Sequence, residues 1–409
     1  MQTPITHKKG QLYFDTIRLR KIADKLPTPF YLYSEHTLIE NYKNFLHAAQ
    51  DANLPAPLIC FALKANPNPY LLKKLAKEGA GADIVSGGEL ARATESGISR
   101  QKIVFSGVGK TLEEIEKGLM GVGIYSFNVE SLEELEMINS VAKRLKKCAR
   151  VAFRFNPEVH AKTHKHISTG FKSHKFGLLR KDILKALKTK SLWSHVKLVG
   201  LSVHIGSQLT CLKATGKAMR ELGMLAREIN MPLEFLDVGG GLGIDYAPSD
   251  KNTYQTPNDY MQVISKNLQK TYLKDHTIKH LVFEPGRVIS ARAGCFITSV
   301  IRTKKSGGQC FVIVDGGMND FVRTSLYGAY HEILVNKKPG RKINSHVVGP
   351  ICETADCFAT DRMLPPLQPN DLVCVADVGA YGFSMASMYN MRKLPKEVVV
   401  TKSGKITIT

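Results

Sequence analysis

Eight short apolar runs, each followed by a loop and a helical pattern, recur between residues 58 and 283 of this 409-residue chain. They are Leu58–Leu63, Ala82–Val85, Ile103–Ser106, Ile124–Phe127, Arg150–Phe155, Leu198–His204, Glu234–Val238 and His280–Phe283. Their β-branched and aromatic cores suit strands covered on both faces, as a parallel sheet requires. Between them, apolar residues fall near a 3.6 period, as at Leu132, Leu135, Ile138, Val141 and Leu145. Leu71–Lys77, Ala214–Ile229 and Tyr260–Tyr272 behave similarly. Eight strand–helix units over about 250 residues match a (β/α)8 barrel in count and length. A doubly wound sheet generally has fewer strands and a different glycine signature.

After Pro285 the rhythm changes. Val288–Val300 is one long β-rich run, followed by Phe311–Val314, Leu372–Ala376, Val398–Val400 and Ile406–Ile408. Turn signals at Ser306-Gly307-Gly308, Pro339-Gly340 and Ser403-Gly404 separate them, which predicts an antiparallel β domain. The segment before Pro27-Thr28-Pro29 is too short to fold alone and should pack on that domain. The expected architecture is therefore α/β: a (β/α)8 TIM-type barrel over residues 29–284, then a C-terminal antiparallel β domain. That second domain, a sandwich or barrel, takes in residues 1–28 with 285–409.

Composition narrows the function classes. No run approaches the ~18 uncharged apolar residues of a membrane span. The opening MQTPITHKKGQLYF lacks the apolar core of a secretory signal. Eight scattered cysteines with no CxxC pair indicate neither a disulfide framework nor a zinc site, and a reducing cytoplasm is expected. Among 13 histidines, His164-x-His166 is too close to read alone and HExxH is absent, so no metal is expected. The net charge is +21, from 57 basic and 36 acidic residues. The basic residues are spread out, with no aromatic-interleaved stripe or helix-turn-helix signal, so no nucleic-acid partner is expected. A field of that sign does attract anionic cofactors and substrates.

In a barrel of this kind, chemistry gathers at the carboxyl ends of the strands. Five of the eight ends carry capable residues: Lys64; Asp83 with Ser86-Gly87-Gly88-Glu89; His204 and Ser207; Gly239-Gly240-Gly241; and Glu284 with Arg287. Lys64 at an apolar rim is either a solvated lysine or an amine whose lowered pKa frees it to form a Schiff base. Gly239–Gly241, with Gly286, is either a tight turn or a phosphate seat of backbone amides. Glu284, costly to bury unpaired, needs a partner, either a pyridinium N–H or a basic side chain such as Arg287. His204 is a core histidine or a ring stacked on a flat cofactor. Gly107-Val108-Gly109-Lys110-Thr111 is not a P-loop, because Val104 stands where the first glycine belongs. Ile244 likewise replaces the third glycine of a dinucleotide fingerprint after Gly239 and Gly241.

Seven segments in register resemble the diaminopimelate decarboxylases: FALKANPNPYLLKKLAKEGAGADIVSGGEL, HIGSQ, LDVGGGLGIDY, FEPGR, DGGMNDFVRTSLYGAYHEI, VVGPICETAD and DVGAYGFSMASMYN. The likeness runs from about residue 27 to residue 395. It departs at Thr354-Ala355, Met388 and Gly316. The resemblance implies a barrel plus β domain binding pyridoxal 5'-phosphate. It also implies decarboxylation of meso-2,6-diaminopimelate to L-lysine and CO2 through a Schiff base, the last step of lysine biosynthesis. Lys64 matches the cofactor-bearing lysine, and His204 matches the histidine stacked on its ring. Asp83, Ser207, Gly239, Gly240, Gly241, Pro285, Gly286 and Arg287 match cofactor-binding segments, and Glu284 matches the acid facing the ring nitrogen. Arg287, Arg323 and Tyr327 match the grip on the substrate's distal carboxylate, and Glu353 the reader of its distal ammonium. Tyr381 matches a tyrosine touching both phosphate and substrate. Cys352 matches a proton donor that enters from the second subunit of a homodimer. Within the same fold group the alternative is an ornithine, arginine or carboxynorspermidine type of decarboxylase. Glu353 directly after Cys352, with RTSLY at 323–327, favours diaminopimelate.

Overall fold

The computed structural model describes residues 3–159, 175–247, 254–338 and 340–409. His164, His166 and Pro339 lie outside them. The chain divides into two compact units, Tyr42–Ile244 with Thr253–Gly286, and Met1–Asn41 with Asp245–Asn252 and Arg287–Thr409.

The first unit is a closed parallel barrel. Its eight strands in chain order are Ala56–Ala62, Gly81–Ile84, Ile103–Phe105, Ser126–Val129, Ala149–Arg154, Val196–Ser202, Phe235–Asp237 and His280–Phe283. Each pairs with its neighbours in sequence, and the eighth closes on the first through His280–Ala56 to Phe283–Ile59. All eight expected runs are strands because each must bury both faces. Leu58, Cys60, Val104, Tyr125, Ala152, Val199, Phe235 and Val282 fill the barrel as one cluster. The intervening helices start where the sequence supplies caps. Asn68 Oδ1 accepts from the N–H groups of Tyr70 and Leu71, with Pro69 at the first helical position. Ser131 caps Leu132–Arg144 by accepting from Glu134 N–H. The helix expected over Tyr260–Tyr272 begins earlier, at Pro257 behind a Thr256–Asp259 capping box, and ends in a wide π-turn over Gln269–Leu273.

The second unit carries a three-stranded sheet, Ile5–Lys8, Gln11–Phe14 and Ile17–Arg18, and a nine-stranded sheet built around Gly294–Ser306. The larger sheet is mixed rather than purely antiparallel. Gln309–Val314 runs parallel to Ile343–Val348, and Lys396–Val400 runs parallel to Phe30–Ser34. Ile5, Leu12, Phe14, Leu19 and Ile22 from the N-terminal segment share a core with Cys295, Ile297, Leu372 and Cys374.

Two expectations are corrected. Phe30–Ser34 pairs with Gly294–Ser306 and Lys396–Val400, so the chain leaves the β unit at Asn41, not at residue 28. A five-residue buried strand reads the same in either sheet, so its pattern could not place it. Val288–Val300 is not a continuous strand, because Arg287–Ser290 and Ala291–Ala293 are helical turns before the strand begins at Gly294. All of these residues but Arg292 and Ser299 are buried, so periodicity cannot tell helix from strand there.

Candidate active site

In the barrel unit, Lys64 stands in a short 3-10 turn, Leu63–Ala65, directly after the first strand. Asn66 and Asn68 brace the chain beyond that turn: Asn66 Oδ1 accepts from Asn68 N–H, and Asn68 caps the next helix. Lys64 Nζ donates to Asp83 Oδ2 at 2.5 Å. Asp83, in the second strand, is fully buried, and its Oδ1 has no hydrogen-bond partner among the described residues. Lys64 is therefore not a free solvated lysine; it is held in an ion pair with Asp83.

His204 follows the sixth strand and accepts at Nδ1 from Gly240 N–H, 3.2 Å away. Burial, then the charges of Arg154 and Lys64, push the imidazole well below its ordinary pKa. It is a neutral ring with its proton on Nε2. Ser207 lies half-buried in the same loop. The three glycines after the seventh strand are required by packing alone. A Cβ on Gly240 would stand 2.1 Å from Glu284 O, and Gly239 and Gly241 have φ of +68° and +99°. Gly239 N–H already donates to Asp237 Oδ1 and Gly240 N–H to His204. Gly241 is the one of the three whose amide has no partner among the described residues.

Glu284, after the eighth strand, is buried. Its Oε1 accepts from Ser106 Oγ at 3.2 Å and from Asn128 Nδ2 at 3.3 Å. The same Asn128 Nδ2 donates to Asp237 Oδ2 at 2.9 Å, which sets the two carboxyls beside each other. Burial, then the charges of Asp237 and Asp83, raise Glu284 well above the usual carboxylate range, and burial raises Asp237 to about 6. Pro285 O accepts from Ala62 N–H at 3.1 Å, which fixes the 284–286 turn against the end of the first strand.

In the β unit, Arg287 is buried, donates to Tyr246 OH at 2.7 Å and lies 4.8 Å from the Tyr381 ring centre. Tyr381 holds a left-handed φ of +56° beside Gly382. Arg323, also buried, begins a short helix that ends at the half-buried Tyr327, and its guanidinium lies 4.9 Å from the Tyr246 ring. Cys352 and Glu353 are exposed. Their loop is clamped by Asp356, which accepts from the N–H groups of Ile351 and Met318, each at 2.6 Å. Cys352 N–H donates to Asn390 Oδ1 at 3.1 Å. Thus the structure gathers Lys64, Asp83, His204, Gly239–Gly241 and Glu284 at one end of the barrel. Arg287, Arg323 and Tyr381 converge on Tyr246 or on one another in the β unit, and Cys352–Glu353 forms a separate exposed loop.

Sequence reasoning missed Ser106, Asn128, Arg154 and Asp237 in the barrel, and Tyr246 and His331 in the β unit. The first three sit at the ends of strands three, four and five, where the strand-end rule applies equally. Tyr246 and His331 lie in quoted motifs but on no strand end.

The barrel residues fit a pyridoxal phosphate. Asp83 has an orphaned buried oxygen, the glycine turn leaves a side-chain-free approach, and the Glu284–Asp237 pair can face a protonated ring nitrogen. Among the described residues no cluster of His, Cys, Asp and Glu could hold a metal, and no helix is long and apolar enough to cross a membrane. Residues 39–291 match the family model of the pyridoxal-binding domain of pyridoxal-dependent decarboxylases. Diaminopimelate decarboxylase of Aquifex aeolicus is 40% identical over 408 residues, covering 99% of this chain and 94% of its own. The crystal structure of the Helicobacter pylori diaminopimelate decarboxylase complexed with L-lysine is similar at TM-score 0.88 and 40% identity, covering 95% of each chain. That of the Methanocaldococcus jannaschii enzyme in co-complex with L-lysine gives TM-score 0.92 at 38% identity, covering 99% of this chain and 94% of that one. This chain belongs to the diaminopimelate decarboxylase family of pyridoxal-dependent decarboxylases.

Proposed function

We propose that the chain removes one carboxylate from meso-2,6-diaminopimelate, releasing CO2 and L-lysine. The observation that carries this reading is the Lys64 amine held by buried Asp83 in the barrel unit that also holds the Glu284–Asp237 pair. Bound pyridoxal phosphate supplies an electron sink for the pair left when CO2 departs.

The chain's own residues do the rest. Lys64 Nζ is the amine that would hold the cofactor, and Asp83 keeps that nitrogen in place. Glu284, with Asp237 beside it, would face the ring nitrogen and favour its protonated form. Neutral His204 offers a flat face without adding positive charge next to that nitrogen. Ser207, Gly241, Gly286 and Arg287 would hold the phosphate, Gly239 and Gly240 would leave it room by lacking side chains, and Pro285 would fix their turn. Arg287, Arg323 and Tyr327 take the distal carboxylate, because a planar guanidinium matches it in two bonds. Glu353 reads the distal ammonium, and Tyr381 touches both phosphate and substrate. Cys352 delivers a proton to the carbon that lost CO2. Because Cys352 and Glu353 are exposed, we assign them to the site of a second copy in a homodimer. We place the enzyme in the cytoplasm, in keeping with eight free cysteines.

The test is purified protein with pyridoxal phosphate and each candidate substrate, assayed for CO2 and amine product. Turnover of the meso isomer with little from L-lysine, ornithine or arginine is expected. Equal turnover of ornithine overturns the substrate assignment.

A further inference from the structure

His331 is fully buried in the β unit, outside every role assigned above. Its ring packs between Phe321 and Tyr246, each with its centre 4.8 Å away. Two neighbours dictate one tautomer. Nδ1 lies 2.8 Å from Ala376 O, and a carbonyl only accepts, so Nδ1 carries the hydrogen. Nε2 lies 2.9 Å from Arg323 Nη1, and a guanidinium only donates, so Nε2 is bare. A proton on Nε2 would point at a cation inside the buried interior. Burial, then the Arg323 charge, accordingly lower the imidazole to about 3.

Arg323 forms no ion pair with a carboxylate among the described residues. Its Nε is buried without a hydrogen-bond partner there, and its guanidinium lies over the Tyr246 ring. A guanidinium desolvated this way is costly unless an anion arrives. Its orientation still has to be fixed beforehand. A carboxylate in the place of His331 would fix it but cancel its charge, and would compete with any incoming carboxylate. A neutral acceptor fixes the fork and leaves the charge intact.

We propose that His331 is a positioning residue that holds Arg323 as a pre-oriented, uncompensated cation for the carboxylate the substrate keeps. This rests on the reading that Arg323 grips that carboxylate. It adds a specificity element, because the device rewards ligands with a carboxylate at that end and does nothing for diamines.

The holoenzyme with three variants, His331→Leu, His331→Gln and His331→Glu, tests it. L-lysine, which keeps the carboxylate, and cadaverine, which has none, serve as inhibitors. A hydrogen bond to a charged group predicts that His331→Leu weakens L-lysine and raises KM for meso-diaminopimelate by about 10- to 100-fold. kcat and the visible absorption of the lysine-bound cofactor should change little, and cadaverine affinity should hold. His331→Gln, whose Oε1 can accept in place of Nε2, should recover most L-lysine affinity. His331→Glu should lose it by forming an internal ion pair. Equal weakening of L-lysine and cadaverine in the Leu variant, or a Glu variant that binds L-lysine as the wild type does, overturns the proposal. If the Leu variant fails to fold, the near-isosteric Gln and Glu pair still decides. Arg323→Met separates the two layers. If it leaves the ratio of L-lysine to cadaverine affinity unchanged, the grip itself is misassigned. If it collapses the ratio while all three His331 variants preserve it, only the positioning role fails.

Discussion

Lys64 and Asp83 show how one contact can serve stability and chemistry together. Asp83 is wholly buried, whereas Lys64 is 36% exposed, so the pair is neither a surface ion pair nor a fully dry one. Removing the lysine strands a buried carboxylate, which then has to protonate or draw in water. For fully buried pairs this costs about 3–5 kcal/mol, and partial exposure of the lysine reduces it here to about 1–3 kcal/mol. Lys64→Ala should therefore lose turnover and the visible absorption of the lysine-bound cofactor, and should also lower the unfolding midpoint of the apoprotein. Adding Asp83→Asn should restore much of that midpoint and none of the turnover, read by chemical denaturation beside a CO2 assay. A Lys64→Ala enzyme with normal turnover removes the central assignment. The Glu284–Asp237 pair makes the complementary point. Burial raises both acids in the protein alone, and a positive ring nitrogen placed against Glu284 would favour its ionised form instead.

The barrel's two ends divide the work of its strands. At the amino ends, Glu234 before the seventh strand meets Arg150 of the fifth in two bonds of 3.0 and 3.3 Å, and Lys197 of the sixth at 2.9 Å. The Arg150 hydrogen bonds outweigh burial and hold Glu234 down to about 2, from an ordinary 4.5. A folded-state carboxyl held lower than its unfolded value gives stability that is present above about pH 4.5 and lost as pH falls toward 2. Glu234→Gln should thus be less stable than wild type at neutral pH and show a flatter fall in thermal midpoint through that window. Parallel curves for the two proteins would count against the clamp. At the carboxyl ends, the sequence was legible wherever the residue type was loud. Lys64, His204 and Glu284 stood out, while Ser106 and Asn128, whose hydrogen bonds orient Glu284, looked like ordinary strand residues. All eight strands were readable because burial on both faces forces a continuous apolar run. Phe30–Ser34 was not, because such a run does not say which sheet it joins. The helical turns at Val288–Ala293 were hidden because burial erases the polar face that marks a helix. Tyr246 and His331 were hidden for another reason: their meaning lies in what they touch across more than 40 residues of sequence.

For the whole molecule, the question is what covers the exposed loop that bears Cys352 and Glu353. Asn390 ties that loop to the segment where Met388, Tyr389 and Met391 are exposed, Met391 at 97%. Exposed apolar side chains beside Cys352 and Glu353 are the kind of patch that a partner surface presents. A second copy is the occupant that would give each residue a role, because a two-fold pairing brings every surface group into play twice. The consequence is arithmetical. On the proposed roles, a Lys64→Ala homodimer would lack the amine in both sites, and a Cys352→Ala homodimer would lack the proton donor in both. If each site draws Lys64 from one chain and Cys352 from the other, a mixed dimer has one site missing both and one site missing neither. Such a dimer should run at about half the wild-type rate, since two-fold symmetry allows one intact site in two. Sites confined to single chains predict instead no more than the average of the two defective parents. Co-expression with two different affinity tags isolates the mixed species, and turnover per dimer tells the cases apart. A verified mixed dimer no more active than that average would place Cys352 in its own chain's site, or in none.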